Sequence, residues 1–534
     1  MAWTVKETNL SHRAQLRKPA VSSAAGVVST QHRRGSEIGA EVLRAGGNAF
    51  DAAVAVSFAM GVLEPWMSGP FGGGAMMVSP ANGPVEALFY GMRAPMKLDP
   101  ADYPLAEDGH ASDLFPWRAV VDDRNVYGPL AVAVPGTVAG IAALHARFGT
   151  MPWRDLLQPA IACARAGMLL DWYAGLMIAS RAEALAKDPD AAAMFLDGGT
   201  WPRMGGWTAM SEMRVTMDRM ADTLSHLAEA GPEDFYRGDL ARALVGDLQA
   251  KGSRMVLADL ENYRAEWQAP LSVAHRGATF HATPHLTAGP TLADTLAHLG
   301  GNFPAPSGAP QPGDYVAWAE SLRAAYRNRL ANAGDTAVAE AGMDAPNAPS
   351  CTTHFAIVDR QGNMISMTQT LLSAFGSSVV SPSTGLLMNN GIMWFDPEPG
   401  RPNSVAPSKR CLMNVCPIVA QKGDRRIAIG ASGGRKILPA VAQMALMMTD
   451  HDLTPDQAIH TPRIDVSGGA QVVADASLPD AVLAALGARF ETVAVPRSFF
   501  PLGFACPVGV VRDGATNTGI CEITMPWADA VAEA

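Results

Sequence analysis

The sequence predicts a layered α/β protein, and three stretches carry the prediction. Residues 136–264 repeat apolar positions at helical spacing, as in ALHARFGTMPWRDLLQPAIACARAG and DFYRGDLARALVGDLQAKG. After Cys351 the texture changes to short β-rich runs separated by turn residues: THFAIVD, NMISMTQT, GLLMNNG, CPIVAQ and RRIAIG. These runs predict a sheet built from consecutive strands. KILPAVAQMALMMTD then returns to helix, so the C-terminal part alternates strands with helices.

The remaining elements follow in chain order. Residues 36–60, SEIGAEVLRAGGNAFDAAVAVSFAM, place helical periodicity on both sides of Gly46 and Gly47, which predicts helix, turn, helix, the second helix apolar all round and therefore buried. GPFGGGAMMV (69–78) combines a glycine turn with an apolar run, the pattern of a backbone that passes close to something and then enters a strand. A phosphate loop would need Gly-Lys-Ser/Thr closing that turn or a helix after it, and neither is present. Between residues 302 and 350 lie APSGAPQPGD, an Ala-rich helix and AGMDAPNAPS, which predict a surface segment ending at Cys351.

Composition excludes several classes. Hydrophobic residues make up 48% of the chain, too many for disorder. Against 51 acidic residues stand 41 basic ones, so there is no basic footprint for nucleic acid or anionic lipid. No apolar run approaches the roughly 18 residues a membrane span needs, and the first twenty residues carry charge throughout, which predicts a cytoplasmic protein. The six cysteines have no Cys-x-x-Cys spacing, and buried free thiols are expected.

Two places in the sequence have catalytic potential. The first is Cys351-Thr352-Thr353-His354, at the junction of the surface segment and the first strand. A threonine hydroxyl is a poor nucleophile without a base, and a chain-terminal threonine brings one as its own α-amine, with an ordinary pKa of about 8. Cleavage before Thr352 would create that group. A Thr-Thr pair at a strand start also fits β-propensity alone. His354 reads as a structural histidine rather than a base. The second place is Gly430-Ala431-Ser432-Gly433-Gly434, a formal Gly-x-Ser-x-Gly elbow between strand and helix. Asp450 and His451 could nominally complete its triad, but they are adjacent and follow a helix.

Across nearly its whole length the chain resembles the γ-glutamyltranspeptidases. TTHFAIVDRQGNMISMTQT (352–370) is similar to the start of their small subunit, and further blocks agree in order: GAEVLRAGGNAFDAAVA (39–55), VPGTVAG (134–140), FYRGDLA (235–241), DLENYRA (259–265), GASGGRKI (430–437) and TPRID (461–465). The resemblance implies a four-layer αββα sandwich of the N-terminal-nucleophile hydrolase class. It implies self-cleavage into a large segment, 1–351, and a small one, 352–534, held as a heterodimer, with a dimer of heterodimers left open. It further implies Thr352 as nucleophile, Thr370 as the residue orienting it, Gly433 and Gly434 as oxyanion donors, a small amide or peptide-like substrate, and no metal or organic cofactor.

The groups that would recognise a γ-glutamyl zwitterion are mostly replaced. The position of the family's arginine falls on Gly91, leaving Arg93 as the nearby guanidinium. Leu372 stands where the family has asparagine, Trp394 and Gly391 where it has an acid and an amide, and Met413-Asn414 where it has a serine pair. Arg93, Asn414, Arg435 and Trp394 are the candidate substrate contacts; for Arg435 a solvated surface position is the alternative. The expectation is an acylase or small amidohydrolase with retained chemistry and altered specificity. A true γ-glutamyl transferase with a rearranged pocket and a non-catalytic relative are the competing readings.

Overall fold

Fourteen strands build the centre of the molecule, in a computed structural model that describes residues 4–5, 16–110, 117–204, 212–335, 351–467 and 469–533. In chain order they are β1 (Val21–Ser23), β2 (Val27–Thr30), β3 (Gly73–Ser79), β4 (Glu86–Tyr90), β5 (Glu266–Gln268), β6 (Leu271–His275) and β7 (Ala278–Ala282). There follow β8 (Cys351–Val358), β9 (Met364–Leu372), β10 (Ile418–Lys422), β11 (Arg425–Ser432), β12 (Cys506–Asp513), β13 (Thr516–Cys521) and β14 (Asp529–Ala532). They form two seven-stranded sheets of order β5-β4-β3-β9-β8-β2-β14 and β6-β7-β10-β11-β12-β13-β1, antiparallel at every pair. The sheets pack face to face through β8, β9, β11 and β12.

A helical layer covers each outer face. Helices α1 (Arg33–Arg44) and α2 (Ala49–Leu63), with Trp153–Ala166 and Asp218–Ala230, lie over the first sheet. Gly46 adopts φ +94° to turn the chain between α1 and α2. A capping box starts α2: Asn48 accepts from the N–H groups of Phe50 and Asp51, and Asp51 accepts from that of Asn48. Every residue of α2 from Ala49 to Val62 is buried, as its uniform apolarity requires. Over the second sheet lie α3 (Pro312–Asn332) and α4 (Ile437–Thr449), with Gly289–Asn302 and Asp480–Gly487. This is the four-layer αββα sandwich.

The structure corrects two expectations. The runs after Cys351 do not make one sheet: β8 and β9 pair with β2 and β3 in the first, while β10 and β11 join the second. GLLMNNG (385–391) is not a strand but a buried loop with one bridge, Val380 to Leu387. Its Asn389 and Asn390 side chains donate to the carbonyls of Phe71, Ala133 and Val126, competing with ladder bonds. The run AGMDAPNAPS lies outside the described residues. Among the described residues, no helix is long and apolar enough to cross a membrane, and the cysteines form no disulfide, five of the six being buried.

Candidate functional site

Thr352 sits on β8 at a kink in its pairing with β9. Cys351 lies opposite Leu372 and Thr353 opposite Gln369, so the single residue Thr352 faces two, Thr370 and Leu371. Leu372 takes φ +88°, a left-handed conformation unfavourable for a residue with a Cβ. That turn aims the Leu372 N–H at Thr370 Oγ1, 2.8 Å away. Thr370 Oγ1 donates its proton to the Cys351 carbonyl oxygen at 2.7 Å. Thr352 Oγ1 lies 2.8 Å from the same oxygen and 3.2 Å from Thr370 Oγ1. The carbonyl before Thr352 therefore faces two hydroxyl donors, and both threonines are buried.

One row further along the same face, His354 Nδ1 pairs with Thr368 Oγ1 at 2.8 Å. Burial pushes its pKa down to about 3, so the ring is neutral. It packs against Gly430 of the facing sheet, where a Cβ would come within 2.4 Å of the ring. This matches the structural reading of His354. Gln31, which the sequence reading did not single out, joins the sheets here: it accepts from the His354 N–H at 3.3 Å and donates to Ser432 Oγ. A glutamine in a strand-to-helix turn carries no motif that could have found it.

The turn between β11 and α4 brings the second wall. Gly433 has φ +134°, and a Cβ there would meet the Ala505 Cα at 2.8 Å; Gly434 has φ +55°. Thr352, Leu372, Trp394, Asn414, Val415, Gly434 and Ile437 together line a small pocket. Gly433 adjoins it through Gly434.

The remaining candidates divide. Trp394 and Asn414 are in the pocket wall, and the Trp394 Nε1 and Asn414 Nδ2 donors have no partner among the described residues. Arg93 is held by backbone bridges to Val134 and Arg410 and is not among the lining residues. Arg435 is buried rather than solvated and also does not line the pocket; its carbonyl accepts from the Tyr326 hydroxyl, and desolvation lowers its pKa. At Gly91 a Cβ would lie 2.5 Å from the Phe89 ring and 3.0 Å from Met413 Cε. The space beside Gly91 is thus filled by the Phe89 ring and by Met413. The serine-elbow residues do not assemble: Arg276 and His275 engage Asp450 at 2.8 and 3.2 Å, and His451 bonds the Gly308 carbonyl at 2.7 Å.

Known proteins agree with this architecture. The sequence profile described as Gamma-glutamyltranspeptidase matches residues 35–345 and 337–519. The chain is 35% identical over 507 residues to the Acylase ACY 1 proenzyme of Pseudomonas sp. (strain V22), covering 89% of this chain and 88% of that one. Against the Glutathione hydrolase proenzyme of Escherichia coli (strain K12) it is 28% identical over 487 residues, covering 83% and 81%. The fold matches the crystal structure of cephalosporin acylase from Bacillus halodurans with a TM-score of 0.84, 26% identity and 99% of both chains covered. With its profile matched over most of its length and an acylase proenzyme 35% identical over 89% of it, the chain belongs to the gamma-glutamyltranspeptidase family of N-terminal-nucleophile amide hydrolases and acyltransferases.

Proposed function

We propose that the chain cleaves itself between Cys351 and Thr352, and that the freed Thr352 is the nucleophile of an acylase or small amidohydrolase that does not depend on a γ-glutamyl group. The observation that carries this reading is the pair of threonine hydroxyls on the Cys351 carbonyl. In cleavage, Thr352 Oγ1 attacks the Cys351 carbonyl carbon and its proton passes to the Thr352 nitrogen as the peptide bond breaks, leaving an ester. Thr370 donates to the oxygen on which negative charge develops. Water then hydrolyses the ester, giving a carboxyl end at Cys351 and an α-amine on Thr352. Segments 1–351 and 352–534 stay together as a heterodimer.

In turnover that amine takes the Oγ1 proton while Oγ1 attacks the substrate amide, and the proton goes on to the departing amine. The N–H groups of Gly433 and Gly434 are suited to hold the oxyanion. Water or an acceptor amine releases the acyl group. The altered specificity is supported by Met413 filling the space beside Gly91 and by Leu372 and Trp394 in the wall. A zwitterion buried there would lack partners for its α-ammonium, and an unpaired buried charge is expensive. Similarity to an acylase proenzyme points the same way.

Denaturing gels of purified wild-type protein are expected to show two bands summing to the full chain, with Thr352→Ala giving one uncleaved, inactive band. Simple acyl p-nitroanilides without an α-ammonium are expected to be hydrolysed at least as well as γ-glutamyl-p-nitroanilide. Full activity from an uncleaved chain would sink the nucleophile assignment, and a strong γ-glutamyl preference would sink the altered specificity.

A further inference from the structure

Helix α3 holds two of the segments that make the pocket, and it does so from one face. Tyr326 and Arg329, one turn apart, both point at them: the Tyr326 hydroxyl donates to the Arg435 carbonyl beside Gly434, and Arg329 reaches the Met413-Asn414 segment. Arg329 is buried, 7% exposed. Nη1 donates to the Thr287 carbonyl at 2.7 Å and lies 3.5 Å from Thr291 Oγ1, while Nη2 donates to the Met413 carbonyl at 2.7 Å and to Asn414 Oδ1 at 3.1 Å.

A guanidinium has donors only, so it accepts just one orientation of the Asn414 amide. Turned over, the amide would set its NH₂ against the Arg329 N–H groups. With Oδ1 committed to Arg329, the end of Asn414 left for the pocket is Nδ2, which is buried and has no partner among the described residues. The acceptors around Arg329 are neutral oxygens, so its positive charge stays close behind that amide.

We infer that Arg329 is a positioning residue that holds the Asn414 amide with its N–H toward the pocket, so that the enzyme selects acyl chains bearing an acceptor oxygen, a carboxylate above all. This rests on the reading of the Thr352 pocket as the acyl site. Steady-state kinetics with glutaryl-p-nitroanilide and pentanoyl-p-nitroanilide, which differ at the chain end by a carboxylate in place of a methyl, tests it. Arg329→Met and Asn414→Leu are each expected to raise KM for the glutaryl probe about tenfold, with kcat changed much less. The double variant should be no worse than Asn414→Leu alone, because the arginine acts through the asparagine. Additive losses, or a fall in kcat at unchanged KM, overturn the assignment.

Should Arg329→Met fail to fold, Asn414→Asp decides: it keeps an oxygen on Arg329 but turns an acceptor to the pocket, so preference for glutaryl over pentanoyl must collapse. A retained preference overturns the inference. Thr352→Ala separates the two levels. If it still hydrolyses the probes, the nucleophile assignment falls; if it is inert while the Arg329 and Asn414 variants keep the wild-type KM ratio, the roles of Arg329 and Asn414 fall and the nucleophile assignment stands.

Discussion

Thr370 can serve the Cys351 carbonyl because the Leu372 N–H occupies one of its lone pairs and leaves its proton a single good direction. Two positions after Thr352, His354 shows the cost of building such a row between two sheets. It is held neutral at a pKa of about 3 by burial, whereas in the unfolded chain it titrates near the ordinary value of about 6.5. Its folded value is the lower one, so its contribution is complete above the unfolded value and is lost as pH falls from there toward 3, by up to about 1.4 kcal/mol per pH unit. His32, lowered to about 4 by burial, acts in the same direction. Denaturant midpoints taken between about pH 7 and pH 4 are expected to fall less steeply in His354→Asn than in wild type, and equal slopes would remove His354 from the account. At this scale much was legible. Thr352, Thr370 and the glycine pair are recognisable as motif residues, and His354 reads correctly as structural. Arg329 does not, because Thr287, Met413 and Asn414 lie 42, 84 and 85 positions away along the chain and no local pattern announces them.

The elements that frame the pocket are two irregularities: the kink of β9 opposite Thr352 and the turn from β11 into α4. The second depends on Gly433, which combines φ +134° with an approach to Ala505 that leaves no room for a Cβ. Gly433→Ala is expected to shift the Gly433-Gly434 N–H groups and reduce acyl hydrolysis by about 10²-fold or more, with folding retained. Rates on an acyl p-nitroanilide beside a circular dichroism spectrum check this; a variant of near wild-type rate would exclude the turn as the oxyanion site. Helices and ladder strands were readable from periodicity, as α1, α2, β8, β9, β10 and β11 show. Residues 385–391 were not, since their β-like composition is overruled by Asn389 and Asn390 bonding to distant carbonyls. The glycine turn before β3 was readable as a close approach, but not what approaches it: a Cβ on Gly72 would lie 2.5 Å from the Thr370 carbonyl of β9.

In the whole molecule, strands from the two sides of the Cys351–Thr352 bond alternate. In the first sheet β5, β4 and β3 come from before it, β9 and β8 from after it, then β2 from before and β14 from after. The second sheet mixes them likewise, with β6, β7 and β1 from before and β10 to β13 from after. Neither segment owns a complete sheet, which the sequence conceals because pairing partners of a β-strand are set by tertiary packing rather than by order along the chain. The processed pair is therefore expected to co-elute on size exclusion in native buffer and to part only in denaturant; separation without denaturant would contradict the interleaving. Cleavage at that bond, as proposed, would also change the thermodynamics of the molecule. An intact precursor unfolds as one tethered chain, whereas a cut one dissociates as it unfolds, so mass action enters its stability and dilution lowers its melting temperature. Once parted, the severed chains regain their shared sheets only as fast as they meet.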